Sequence, residues 1–277
     1  METAGEARLR KLRARIEVFS AVLRSRDPYR PAAPGFGYHG FFGILLLRCC
    51  NHNFPIFESQ PPKPSKINSQ GSITLTGPKH SIPVQDEIVL FPWFLTVYAS
   101  SMDDSRKILW KAGEDDIDQF ICRTIQCLVF QNLEVNFAVY SDAVEAHLNF
   151  CFVDIESGEE DASIQVHGTV SASNTVLSNP KAKSLLFHKL SDEFVRLKLG
   201  KSIPLPLSRR MIVLPRESSL LVHVCMEVGI KFGDVSVIED TVKFHPSSNS
   251  AEKFIVLPNH GKLVVAVTWM ECQEFFY

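Results

Sequence analysis

Five side chains carry groups able to do chemistry: His147, Cys151, His167, His223 and Cys225. Each occupies a polar position in a run where apolar and polar residues alternate, which places it on the solvent side of a strand. A thiol and an imidazole within hydrogen-bond reach make a nucleophile and its base, and the same groups are the usual ligands of zinc. In an antiparallel sheet, such residues on adjacent strands become cross-strand partners. The pattern equally describes ordinary half-exposed strand residues. No catalytic, cofactor-binding or metal-binding residue is therefore assigned, and no cofactor is expected.

Other constellations are weaker. Acidic stretches at Asp103-Asp104, Glu114-Asp115-Asp116 with Asp118, and Glu156 with Glu159-Glu160-Asp161 could converge as oxygen ligands for calcium. None has the ligand ladder of a calcium loop, and hairpin loops are acidic because they are solvated. Gly200-Lys201-Ser202 lacks the glycine five residues earlier that a phosphate-cradling loop needs, since Val195 stands there. No Gly-x-Ser-x-Gly elbow occurs.

The elements that would position these groups are strands. Val144 to Phe152, Ile164 to Val170, Leu220 to Val228 and Leu263 to Trp269 alternate with period two. Less regular runs fill the intervals at Ile88 to Tyr98, Leu133 to Tyr140, Val195 to Leu199, Met211 to Leu214 and Val235 to Phe244. Turn residues separate them at Ser157-Gly158, Asn179-Pro180 and Gly233-Asp234. This spacing predicts an all-β fold, an antiparallel β-sandwich or flattened barrel. At most one or two short helices fit in the body, near Asp115 to Cys122 or Lys181 to His188. No internal repeat shows in the residues.

The first thirty residues differ. Leu9, Leu12, Ile16, Phe19 and Leu23 are spaced three and four apart among basic residues, which predicts an N-terminal amphipathic α-helix. That helix could lie on the body, serve as a short zipper or partner-binding face, or present Arg8 to Arg15 as a basic localisation patch. The expected organisation is a basic helix over 1–30, a Pro/Gly linker over 31–37, and a single large β domain over 38–277. The candidate interaction surface combines Leu9, Leu12, Ile16 and Phe19 with Phe91 and Trp93. The latter two belong to an apolar run that alternation cannot bury on one face.

The strand ending Leu75-Thr76-Gly77-Pro78-Lys79, the strand at Ala143 to Ala146 and the late Leu263 to Trp269 strand carry a resemblance when taken in order. Over residues 38–272 the chain resembles a plant domain of unknown function, expanded in grasses. It is also similar to the C-terminal region of cereal jasmonate-induced proteins. Leu75, Thr76, Gly77, Pro78 and Trp269 are the motif positions. The chain departs from the pattern at Arg48-Cys49, where the family has an Arg-Asp pair, and in its wholly apolar Ile88 to Leu95. Some jasmonate-induced relatives carry a ribosome-inactivating glycosylase domain with a Glu-x-x-Arg helix. Glu193-Phe194-Val195-Arg196 matches that spacing but opens a strand-like run, with no tyrosine pair to hold a base.

Composition narrows the function. Of 277 residues 45% are hydrophobic and 20 are Phe, enough for a large core, and a net charge of -2 argues against a nucleic-acid binder. Seven cysteines, an odd count, do not suggest a disulfide framework. No secretory signal or membrane span is read, which points to an intracellular protein, cytoplasmic or nuclear. The expectation is a non-catalytic protein-interaction or accessory module, linked by resemblance to stress and jasmonate response. Its partner would be an unidentified protein or a second copy of the chain. The alternatives are a defence effector acting on ribosomes and a calcium- or ligand-binding sandwich.

Overall fold

Where the spacing of Ile16, Phe19 and Leu23 predicts a helix, residues Arg15–Arg24 form a strand, β1. The N-terminal helix is thereby overturned, and a slip of register explains why the spacing misleads. β1 pairs antiparallel with a later strand from Arg15↔Tyr140 to Arg24↔Asn132, and the pairing shifts between Val18 and Ser20. An extra residue in a strand turns side-chain parity over. The core-facing set Ile16, Val18 and Ala21 is therefore spaced by two and then by three, which imitates a helical stripe. β-Branched Ile16, Val18 and Val22 favour the pleat. Ile16 and Phe19 are buried, as are Arg15 and Glu17, so neither apolar residue is open to a partner. Leu9, Leu12 and the linker 31–37 lie outside the described residues.

The computed structural model describes residues 14–24, 42–49, 52–59, 72–78, 80–84, 87–95, 100–102, 107–111, 116–126, 132–155, 163–230, 235–247, 250–257 and 261–272. The chain divides into two compact units. The first holds β1, β2 (Phe42–Cys49), β3 (His52–Ser59), β4 (Ser72–Ile73), β5 (Ile82–Pro83), β6 (Glu87–Leu95), β7 (Ser100–Met102), β8 (Lys107–Lys111), β9 (Phe120–Gln126) and β10 (Asn132–Tyr140). The segment Leu177–Lys183 belongs to it as well. The second unit takes Val144–Val176 and Ser184–Glu271. Its strands are β11 (Ala143–Val153), β12 (Ser163–Asn174), β13 (Ser184–Lys189), β14 (Val195–Lys198), β15 (Ser202–Pro204), β16 (Met211–Pro215), β17 (Leu220–Ile230), β18 (Val235–Phe244), β19 (Ala251–Leu257) and β20 (Gly261–Glu271). The helical stretches expected near 115–122 and 181–188 give way to β9 and β13. A three-residue 3-10 turn at Ser191–Glu193 is the helical element among the described residues.

Each unit is a sandwich of two antiparallel sheets sharing one core. In the first unit, β4 and β5 lie end to end along β1, followed by β10 and β9. The facing sheet runs β3, β2, β6, with β7 and β8 end to end along β6. In the second unit, β15 and β16 lie along β11, followed by β20 and β19. The facing sheet has β13 and β14 along β12, followed by β17 and β18. Matching β1, β2, β6, β9 and β10 to β11, β12, β17, β19 and β20 makes the two orders the same once a split edge counts as one strand, although the split edge of the facing sheet lies beside β6 in the first unit and beside β12 in the second. One sandwich topology is thus used twice, a repeat carried by strand order and not by residue identity.

Alternation places the cores. Ile16, Leu47, Ile88 and Phe137 fill the first, and Phe152, Val170, Val222 and Val265 the second, all essentially sealed from water. Burying each such side chain stabilises the fold by about 1.5–3 kcal/mol before chain entropy is set against it. The family motif has a local task. Thr76 N–H and Gly77 N–H donate to the Ile56 carbonyl at 3.1 and 3.2 Å, where β3 bulges against β2. A Cβ at position 77 would lie 2.6 Å from the Pro55 carbonyl oxygen, so this close approach requires glycine.

Candidate functional site

The pairing of β12 with β17, from Ile164↔Ile230 to Asn174↔Leu220, decides which of the candidate side chains meet. Even-numbered positions of both strands feed the second core, which turns His167, Thr169, Ser171 and Ser173 outward with His223, Cys225 and Glu227. Three of the five predicted groups, His167, His223 and Cys225, therefore share one solvent face. His147 and Cys151 do not join them, because β11 belongs to the opposite sheet of the sandwich.

On the shared face the imidazoles are engaged with their neighbours. His167 Nε2–H donates to Glu227 Oε2 at 3.2 Å across the strand pair. His223 bridges two hydroxyls, with Nε2 3.1 Å from Ser173 Oγ and Nδ1 3.0 Å from Thr241 Oγ1 on β18. A neutral imidazole has one N–H, so it donates to one hydroxyl and accepts from the other. His188 on β13 continues the row, its Nδ1 3.2 Å from Thr169 Oγ1. On β11, His147 Nε2–H donates to the buried Glu145 at 3.1 Å.

This arrangement binds strands together. The chain Ser173–His223–Thr241 has the Thr241 hydroxyl where a catalytic triad has a carboxylate. Cys225 is an exposed free thiol, and neither ring nitrogen of His223 is spent on it. Among the described residues, no group of three or more His, Cys, Asp or Glu side chains could hold a metal ion.

The acidic positions that are described have protein partners. Asp116 pairs with Arg123 at 3.2 Å. Asp118, at φ 60°, accepts from Ser141 N–H at 2.9 Å and Ser141 Oγ–H at 2.7 Å. Its short side chain tolerates the left-handed conformation and fastens the turn after β10. The stretches 103–104, 114–115, 156 and 159–161 lie outside the described residues. Glu193 ends the 3-10 turn and Arg196 sits on β14 with its guanidinium 5.8 Å from the Phe194 ring. The pair is not on a helix. Gly200 stands in open space ahead of β15.

Phe91 and Trp93 lie on β6, their backbones opposite Leu46 and Ile44 of β2, and their side chains are outside the described residues. Trp269, on β20 opposite Ala146, packs in the second core and its Nε1–H has no hydrogen-bond partner among the described residues.

Two features escape sequence reading. Arg209 is buried ahead of β16, with Nη2–H donating to Ser184 Oγ at 2.8 Å, and burial lowers its pKa to about 10. Nothing in the Arg209-Arg210 pair marks one as buried. The other is apolar exposure on the edge strands. Val235 and Val237 on β18 are 57% and 62% exposed, and Phe254 and Val256 on β19 are 59% and 70%. The only signal was negative, since these residues spoil the alternation of their runs.

The fold and face describe an all-β protein of two like sandwiches with a hydroxyl- and imidazole-lined sheet. The chain belongs to a family known as a domain of unknown function (DUF6598), whose profile matches residues 40–267. No curated protein matches it. Among solved structures, the chain is similar to human GIVD cytosolic phospholipase A2 at 12% identity and TM-score 0.26, over 95% of this chain and 30% of that one. It is also similar to a calcium-bound pair of C2 domains from Extended-Synaptotagmin 2, at 10% identity and TM-score 0.23, over 95% and 97% of the two chains. Likenesses at these scores carry no argument. Among the described residues, no helix is long and apolar enough to cross a membrane.

Proposed function

We propose that the chain is a non-catalytic protein-interaction module, working inside the cell, in which residues 38–277 act together. The observation that carries this reading is the exposure of Val235, Val237, Phe254 and Val256 from regular strands of the second sandwich. Single exposed apolar residues are ordinary, but each of these strands sets two alternating apolar side chains on the outer face of its own sheet, surface that a partner covers at a gain. The engagement of His167, His188 and His223 with local hydroxyls and a carboxylate supports a surface used for contact. Resemblance to cereal jasmonate-induced proteins supports a plant setting and a place in stress response.

Affinity capture with the native chain and with a Val237→Glu/Phe254→Glu variant tests the reading. Both substitutions stand at exposed positions, so the variant should melt with the native protein while losing the captured partner. Retention of the same partners by a folded variant would refute it.

A further inference from the structure

Among the described residues, each of the four sheets has one long edge strand and one edge split into two short strands. An open edge presents unpaired N–H and C=O groups that invite another strand. The split edges are broken into shorter pieces, from 2 residues each in β4 and β5 to 6 in β13. The long edges are β3, β9, β18 and β19. On β3, Pro55 removes a donor, the ladder bulges, and the Leu75–Pro78 motif lies against the Ile56 carbonyl.

The other three carry a charge in the row that should face the core. On β9, Arg123 stands between Ile121 and Ile125 and opposite buried Val135. On β19, Lys253 stands between Ala251 and Ile255 and opposite buried Val265. On β18, Asp240 interrupts the buried row of Ile238 and Val242 opposite buried Val224. Asp240 and Lys253 are exposed although their register is inward. Each cation has a partner at the edge of the facing sheet. Lys253 Nζ lies 5.7 Å from the Phe244 ring. Arg123 donates to Asp116 Oδ2 at 3.2 Å and to the Leu109 carbonyl at 3.3 Å.

β9 and β19 are topological equivalents, and both place the cation at the middle of the core-facing row. We propose that Arg123, Asp240 and Lys253 close these edges to strand addition by a second copy of the chain. An isologous addition, β19 to β19 or β18 to β18, would extend the sheet over the charge, strip its water and set like charges in one inward row. The apolar side chains beside them on β18 and β19 then remain available to a partner that meets the faces of the sheets. This goes beyond the interaction reading and stands without it, because it concerns what the edges reject.

The test is sedimentation of the full-length chain carrying Lys253→Val, beside Lys253→Arg and the native sequence. Lys253→Val should at least double the weight-average mass as concentration rises, with slowed amide exchange along β19, while Lys253→Arg follows the native chain. A folded Lys253→Val with native mass, or one that associates with β19 exchange unchanged, overturns the proposal. If Lys253→Val fails to fold, Asp240→Val decides on the same readouts along β18.

Discussion

Gly168→Ala offers the sharpest check on the register of the second sandwich. Gly168 lies on β12 between His167 and Thr169 at φ 117°, a region that side chains rarely enter. A methyl group there would collide with the Cys225 carbonyl oxygen and come within 2.6 Å of Met226 Cα. Both belong to the backbone of β17, so no rotamer change relieves the clash. The strained backbone costs about 1–3 kcal/mol, and forcing apart two central strands costs about 1–3 kcal/mol more. A total near 4 kcal/mol lowers the melting temperature by about 16 °C for a unit of this size. Gly200→Ala is the control, because a Cβ at Gly200 meets nothing within 4 Å. Removing that glycine should leave stability unchanged or raise it slightly by restricting the unfolded chain. Calorimetry of both variants decides. If Gly168→Ala melts within about 3 °C of the native protein, or falls no further than the control, the close approach of β12 to β17 is wrong.

Further outcomes follow from local geometry. Asp118→Ala removes two charged hydrogen bonds to Ser141 and an αL-tolerant side chain, and should cost about 2 kcal/mol in urea unfolding with the m-value unchanged. Arg209→Met should cost less than Arg209→Ala in the same assay. Methionine fills the volume without a buried charge, whereas alanine leaves a cavity. The depressed Arg209 pKa means its charged form is disfavoured in the fold, so this penalty is present at neutral pH and fades only above about pH 10. Arg216→Ala should change stability by less than about 1 kcal/mol, because its bidentate pair with Glu271 is largely exposed.

Strands were legible where one face is buried and the other wet. β11, β12, β17 and β20 alternate because each has one core-facing row. β19 escaped notice because Lys253 breaks its core row while Phe254 and Val256 stand on the solvent side. β18 reads as irregular for the same two reasons, with Asp240 inward and Val235 and Val237 outward. β1 misled because a one-residue bulge gives a strand the three-residue step of a helix. The candidate site was half visible. Outward placement of the His and Cys side chains follows from parity. Which strands pair is a non-local matter, so the sequence could not separate His147 and Cys151 from His167, His223 and Cys225.

The guarded edges have a second consequence through folding order. Each sandwich is closed by pairing its first strand with its last, β1 with β10 and β11 with β20. Such pairings carry high loop-closure entropy and form slowly, so the remaining strands spend time with their edges open. β19 is made just before β20 and borders it, which leaves the β19 backbone unpaired on both sides until β20 arrives. An inward charge acts throughout that interval, since it opposes wrong pairing before any core exists to be protected. Lys253→Val should therefore lower the yield of refolding from urea increasingly as protein concentration rises, even where its melting temperature at high dilution matches the native value. Yields that match the native chain at every concentration would show that Lys253 has no role while the chain is open.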